Sequence, residues 1–211
     1  MNRGKNTVEH WEAKHDRDYI GKKYTYEELS FSKLSYHKVA IDLMVENELA
    51  FQRKTVIELG CAEGKFLSIL SKKLPKEWNY EGWDFGEQVI EWASKQYPHI
   101  KFAVRDILKC GLEDEYGCAC MFETIEHLAE GNNYKVLDDL IEHCEYVLIS
   151  TPSTKDDCFG EHISHYNLDT FDDKGYNVVW KSNLNKIDMS ATGDCDDYYY
   201  MLFLIKGKLA T

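Results

Sequence analysis

The chain has 211 residues, 37 acidic against 25 basic side chains and a formal net charge of −12, with 44% hydrophobic residues. That length, without a Pro-, Gly- or Ser-rich interruption, predicts one domain over 1–211, with an N-terminal helical or lid segment over 1–50 and a core over 51–211. The acidic excess is spread along the chain, which argues against broad binding to nucleic acid; the densest basic run, Arg3 to Lys23, reads as a solvated segment.

The seven cysteines are odd in number and form no CxxC pair, a pattern of reduced thiols in a cytosolic protein rather than a disulfide frame or a structural zinc site. No apolar run is long enough for a signal peptide or a bilayer span, so the expected place is the cytoplasm with no membrane partner.

In chain order, residues 33–49 carry apolar side chains at helical spacing (Leu34, Val39, Ile41, Leu43, Met44, Leu49) and predict a helix leading into the core. Thr55–Leu59 is a short β-branched run read as the first strand, followed by the turn Gly60 to Gly64 and a helix over 65–73. Strands follow at 79–83, 100–104, 118–122 and 146–150, with helices through Val89 to Ala93 and over 134–143. Strands alternating with helices predict an α/β fold, a Rossmann-like, mostly parallel seven-stranded sheet with helices on both faces. The runs 177–181 and 198–205 have no long helix between them, so they are expected as an antiparallel pair at the sheet edge.

The segment Val56-Ile-Glu-Leu-Gly-Cys-Ala-Glu-Gly64 runs from an apolar strand into a glycine turn and a helix. Gly60 permits a tight turn and close ligand approach, and the helix start offers backbone N–H groups. This resembles motif I of class I, S-adenosylmethionine-dependent methyltransferases, with Ala62 in place of the middle glycine. A glycine turn alone is shared by many dinucleotide enzymes. Asp84 lies at the end of the second strand, where a carboxylate can accept from both ribose hydroxyls; a plain helix N-cap is the lesser alternative for it. Arg105-Asp106-Ile107 resembles the family's adenine-binding position. Met121-Phe-Glu-Thr-Ile-Glu-His-Leu128 resembles the strand-four motif of the ubiquinone-biosynthesis O-methyltransferases and related small-molecule enzymes, and Ser150 to Asn167 their closing segment. The resemblance covers roughly residues 50–205. It implies S-adenosylmethionine held by Glu58, Gly60, Cys61, Gly64, Asp84, Phe85, Asp106, Ile107, Phe122 and Glu123, and a small-molecule acceptor.

The expected chemistry is methylation of a small-molecule or sugar hydroxyl, which needs a proton acceptor. His127 is the first candidate, with Glu126 to orient it, and His165 the second. Glu123, Glu126 and His127 fall on one face of a helical turn, as a solvated charged face also would. With His162 or His165 from another loop they would suit a divalent metal, so Glu123, Glu126, His127 and His165 are the alternative metal set. The Glu-x-x-Glu-His string is similar to that of the metal-dependent 2′-O-methyltransferases acting on small-RNA 3′ ends. Two further readings are a cofactor-binding module without chemistry and a nicotinamide oxidoreductase. The aromatic N-terminal positions, Trp11, Tyr19, Tyr24, Tyr26, Phe31 and Tyr36, suit a lid over the acceptor or a helix packed on the sheet. Oligomeric state and acceptor identity leave no signature in the sequence.

Overall fold

A computed structural model describes His10 and residues 25–29, 35–153, 162–186 and 199–211. The basic N-terminal run, Trp11, Tyr19, Tyr24, Phe31, Cys158, Cys195 and most of the connection after residue 186 lie outside the described residues.

Before the core, the described residues include the helices α1 (Tyr26–Leu29) and α2 (Ser35–Glu46) and a 3-10 turn (Glu48–Ala50). Then come β1 (Thr55–Leu59), α3 (Lys65–Leu70), β2 (Asn79–Asp84), α4 (Glu87–Gln96), β3 (Lys101–Val104) and β4 (Tyr116–Phe122). A 3-10 turn (Ile125–His127), α5 (Asn132–His143), β5 (Cys144–Ser153), α6 (Thr170–Asp173), β6 (Val178–Lys186) and β7 (Tyr199–Lys206) complete the order. The strands form one seven-stranded sheet in the order β3-β2-β1-β4-β5-β7-β6. The pairs from β3 to β5 are parallel, and β7 runs antiparallel to both β5 and β6. The fold is the expected Rossmann-like one, including the late antiparallel pair.

Side-chain alternation splits the core into two layers. Val56, Cys118, Cys120, Phe122, Leu148 and Leu202 face α2 and α3; Ile57, Ala119, Met121, Val147, Ile149 and Phe203 face α5 and Phe171. All seven residues of β4 are buried, as expected of a strand covered on both faces. In α2 the buried positions are Ser35, Tyr36, His37, Ala40, Ile41 and Met44, an i, i+4 stripe that brings a histidine inward, while Val39 and Leu43 are only half-buried.

The boundaries shift for identifiable reasons. α3 stops at Leu70 because Lys72 and Lys73 donate to Ile69 and Leu70, three residues back, tightening the chain into turns before Pro75. β5 extends to Ser153 because β7 pairs with it from Tyr146 to Ser153. The loop entering β1 is pinned by the buried Glu145 carboxylate, which accepts the N–H groups of Gln52 (2.9 Å) and Arg53 (2.8 Å). The strand order reverses between β1 and β4, so a crevice opens at their carboxyl ends, where open α/β sheets bind ligands. No helix among the described residues is long and apolar enough to cross a membrane.

Candidate active site

A cavity of about 310 Å³ occupies that crevice. One rim is built from the carboxyl ends of β1, β2 and β3. The turn after β1 is locked to β2 by the N–H groups of Gly60 and Cys61, which donate to the Trp83 carbonyl (2.8 and 3.0 Å). Gly60 has φ +73°, and a Cβ there would fall on the Thr124 hydroxyl, so the turn requires glycine. Ala62 also sits at positive φ, 44°, a conformation that strains any residue with a Cβ. Its N–H donates to Asp84 Oδ2 (3.0 Å), while Gly86 N–H donates to Asp84 Oδ1 (2.9 Å). Asp84 is thereby fixed by two backbone donors, and a carboxylate so held keeps lone pairs for further hydroxyl donors.

Glu58, 3% exposed, lines the cavity, and its Oε2 has no hydrogen-bond partner among the described residues. Burial, then the charges of Glu63 and Asp84, push its carboxyl well above the usual range. Burial and Asp84 likewise push the Cys61 thiol up, so it stays protonated and inert. Asp106 accepts Leu108 N–H (3.0 Å) and pairs with Lys109 (2.7 Å). Partial burial pushes its carboxyl up, but Lys109 and the Leu108 N–H outweigh this and hold it below the usual range.

The other rim is built from β4, the turn after it and the segment after β5. Glu123 has φ +48°, donates its N–H to the Ser150 carbonyl (3.1 Å) and accepts the Ser150 hydroxyl (2.8 Å). Burial pushes its carboxyl up to about 8, against the lowering from Ser150. His127 lines the cavity, with Nε2 3.6 Å from Oε1 of the buried Glu126. The segment carrying His162 is tied to the same turn: Ile163 and Ser164 N–H groups donate to the Glu126 carbonyl (2.9 and 3.0 Å). The Ser164 hydroxyl donates to the Leu128 carbonyl (2.8 Å), and Asn133 Nδ2 donates to the Tyr166 hydroxyl (2.7 Å). The His127 and His162 ring centroids lie 5.1 Å apart, and ligand atoms of Glu126, His127 and His162 all fall within 4.8 Å of one another.

Of the residues expected from the sequence, Glu58, Gly60, Cys61, Asp84, Phe85, Asp106, Ile107, Phe122, Glu123 and His127 line the cavity. Gly64 stands behind the turn, with φ +70° and its N–H on the Cys61 carbonyl (2.8 Å). Glu126 lies beneath His127, and His165 is exposed. Sequence reasoning did not single out His37, Glu63 and Lys65, which are buried on the same wall. The signal for His37 was available: it precedes Ile41 and Met44 on the buried helical stripe.

Comparison with known proteins gives a match over residues 36–187 to the family model described as a methyltransferase domain. The putative methyltransferase 235L of Invertebrate iridescent virus 6 is 33% identical over 69 residues, 33% of this chain but only 26% of that protein. The crystal structure of TehB from Haemophilus influenzae is similar with a TM-score of 0.61 at 18% identity, covering 79% of this chain and 62% of TehB. The N-methyltransferase NodS from Bradyrhizobium japonicum WM9, solved with S-adenosyl-L-homocysteine, gives a TM-score of 0.72 at 14% identity, covering 96% of this chain and 99% of NodS. The structural likenesses show the fold.

Proposed function

Because the chain belongs to the methyltransferase-domain family, which makes it an S-adenosylmethionine-dependent methyltransferase domain, we propose that it methylates a hydroxyl of a small molecule, with His127 as proton acceptor. The cavity fits the cofactor on its own features: a turn that only glycine at position 60 allows, Asp84 held by two backbone donors, and the buried Glu58 oxygen facing the space. When bound, S-adenosylmethionine supplies a methyl group activated by its sulfonium leaving group. Asp84 would accept the ribose hydroxyls, and Asp106 with the Ile107 N–H would face the adenine. Glu58, Phe122 and Glu123 would border the methionine portion.

The observation that carries the proposal is His127 on the cavity wall, 3.6 Å from the buried Glu126. A hydroxyl must lose its proton as it attacks. A neutral imidazole takes it, and an adjacent carboxylate orients the ring and stabilises the imidazolium. His165, exposed and off the cavity lining, has less support for this role. The test is single-turnover methyl transfer from S-adenosylmethionine to a panel of hydroxylated small molecules. His127→Gln is expected to slow it by roughly 100-fold or more with S-adenosylhomocysteine affinity retained; an unchanged rate removes His127 as the base.

The gathering of Glu126, His127 and His162 favours a second reading. One carboxylate and two imidazoles suit a divalent transition metal, which would polarise the acceptor oxygen and take His127 as a ligand rather than a base. The acceptor in that reading is a ribose 2′-hydroxyl of RNA, against which the net charge of −12 weighs. Glu123 is bonded to Ser150 and His165 is exposed, so support lies with the three-residue set rather than the four named from the sequence. Exhaustive chelation separates the readings: a rate that survives leaves the metal without a role.

A further inference from the structure

Two side chains on the cavity wall have no part in the chemistry above. One is His37: burial, then the charge of Lys65, push its imidazole down to about 3, leaving a neutral ring packed among Tyr36, Phe66 and Phe122. The other is Thr124, which lines the cavity where the two rims meet. The chain leaves β4 through Glu123 at φ +48°, and Thr124 follows at the N-cap position of the 3-10 turn Ile125–His127. Beyond its neighbours in the chain, the three atoms that a Cβ at Gly60 would meet first all belong to Thr124: the hydroxyl oxygen, the methyl and the Cβ, the last at 3.3 Å. The Thr124 side chain thus rests directly on the glycine turn of the opposite rim.

Capping does not account for this placement. A threonine ahead of a helical turn ordinarily accepts one of the turn's N–H groups with its hydroxyl. Here the hydroxyl donates backward instead, to the Phe122 carbonyl (2.9 Å), which fixes the side chain against Gly60. The Thr124 carbonyl at the same time accepts the His127 N–H (3.1 Å). One residue therefore touches the turn that would hold the cofactor and bonds the residue that would act as base. Such a contact has leverage on rate, because in a displacement whose reacting atoms must be aligned a misplacement of about 1 Å can cost about 100-fold.

We propose that Thr124 is a positioning residue, a brace that fixes the spacing between the glycine turn and the turn carrying His127 and so couples cofactor binding to the placement of the base. The inference rests on the S-adenosylmethionine reading and on His127 as proton acceptor, and adds the part that joins them. By linkage, a ligand that settles Gly60 against Thr124 also orders the turn that Thr124 begins. A ligand that touched His127 itself would order the same turn without the brace, and the test separates the two.

The probe is S-adenosylhomocysteine and the readout is amide hydrogen exchange at His127, with the Cys61 and Ala62 amides as controls on the first rim. In the unaltered chain the ligand is expected to slow exchange at His127 by about 10-fold, within the range of coupling between linked sites. Thr124→Ala, which removes the hydroxyl and the methyl, should reduce that slowing to within about twofold while Cys61 and Ala62 stay protected. Thr124→Ser keeps the hydroxyl on the Phe122 carbonyl and should restore it. On whichever acceptor of the hydroxylated panel the unaltered chain methylates fastest, Thr124→Ala should lower kcat by about 10-fold, with KM and S-adenosylhomocysteine affinity within about twofold. Retained protection of Cys61 and Ala62 also certifies the fold of each variant. Equal slowing at His127 in Thr124→Ala and the unaltered chain, no slowing in either, or parallel losses of rate and affinity overturn the brace; the first result means that the ligand reaches His127 directly. If the ligand protects neither His127 nor the first-rim amides of the unaltered chain, the cofactor reading itself falls, and this inference with it.

Discussion

The two rims of the cavity are made differently. The rim from β1 to β3 is local: Glu58 to Gly64 are contiguous, Asp84 ends the next strand, and the contacts that shape them are backbone N–H groups on Asp84 and the Trp83 carbonyl. The rim from β4 to β5 is assembled across the chain: Glu126 and His127 meet His162 only because Ile163, Ser164, Tyr166 and Asn133 bind the two segments together. A rim drawn by the backbone suits a ligand that is the same in every turnover, whereas a rim of side chains from separate segments can be altered residue by residue to suit an acceptor. Changes on the first rim should therefore act on cofactor affinity, and changes on the second on rate.

The largest effect expected on affinity is at Asp84. Asp84→Ala removes the acceptor for the Ala62 and Gly86 N–H groups and the proposed ribose contact together. S-adenosylhomocysteine affinity should fall by about 100-fold, the scale of two charge-assisted hydrogen bonds, in a calorimetric titration. An affinity within threefold would mean that the backbone rim does not hold the cofactor through this carboxylate.

Asn133 tests the other rim without touching the cavity lining. It is 2% exposed, and its side chain accepts the Gly131 and Tyr134 N–H groups while donating to Tyr166 and Ser164. Asn133→Ala should loosen the His162 segment and lower the methyl-transfer rate by about 10-fold, from misplacement rather than lost chemistry, with S-adenosylhomocysteine affinity unchanged. If affinity falls and rate does not, the division between the rims is wrong.

A pH experiment probes where the first rim meets α2. The His37 imidazole lies at about 3 in the folded chain, below its ordinary 6.5, so between those values the unfolded chain binds more protons. Its contribution to stability is complete above about pH 6.5 and declines as pH falls toward 3, by about 1 kcal/mol per pH unit. Denaturant unfolding from pH 7 to 4 should show a steeper acid loss in the unaltered chain than in His37→Phe. Equal slopes would place the His37 ring in contact with water.

The same contrast decides what the sequence could reveal. The succession of strands and helices, the late antiparallel pair and the first rim were legible because each depends on local pattern: a β-branched run, a glycine turn, an acid at a strand end. The adjacency of Glu126 and His127 was legible for the same reason. Which histidine joins them was open between 162 and 165, since the choice is made by two backbone donors to the Glu126 carbonyl that no residue spacing encodes. His37 and Lys65 were passed over because a polar residue on a helical stripe acquires meaning only from the wall opposite. The φ of Glu123 was likewise hidden, since it is set by the exit from β4 and the Ser150 carbonyl.

The smallest effect expected concerns the departure within the glycine turn. Ala62 holds φ 44° while its N–H bonds Asp84, a left-handed conformation that glycine adopts without the Cβ penalty. Ala62→Gly relieves that strain but gives the unfolded chain more freedom, and the two terms nearly offset. A net gain of about 0.5 kcal/mol is expected in denaturant unfolding, with S-adenosylhomocysteine affinity within about twofold, because the hydrogen bond to Asp84 comes from the backbone and survives the change. A loss of stability would mean that the Ala62 methyl contributes more by packing than its backbone costs. A loss of affinity without a loss of stability would mean that the methyl itself touches the cofactor, and the first rim would then be drawn by side chains as well as by the chain's path.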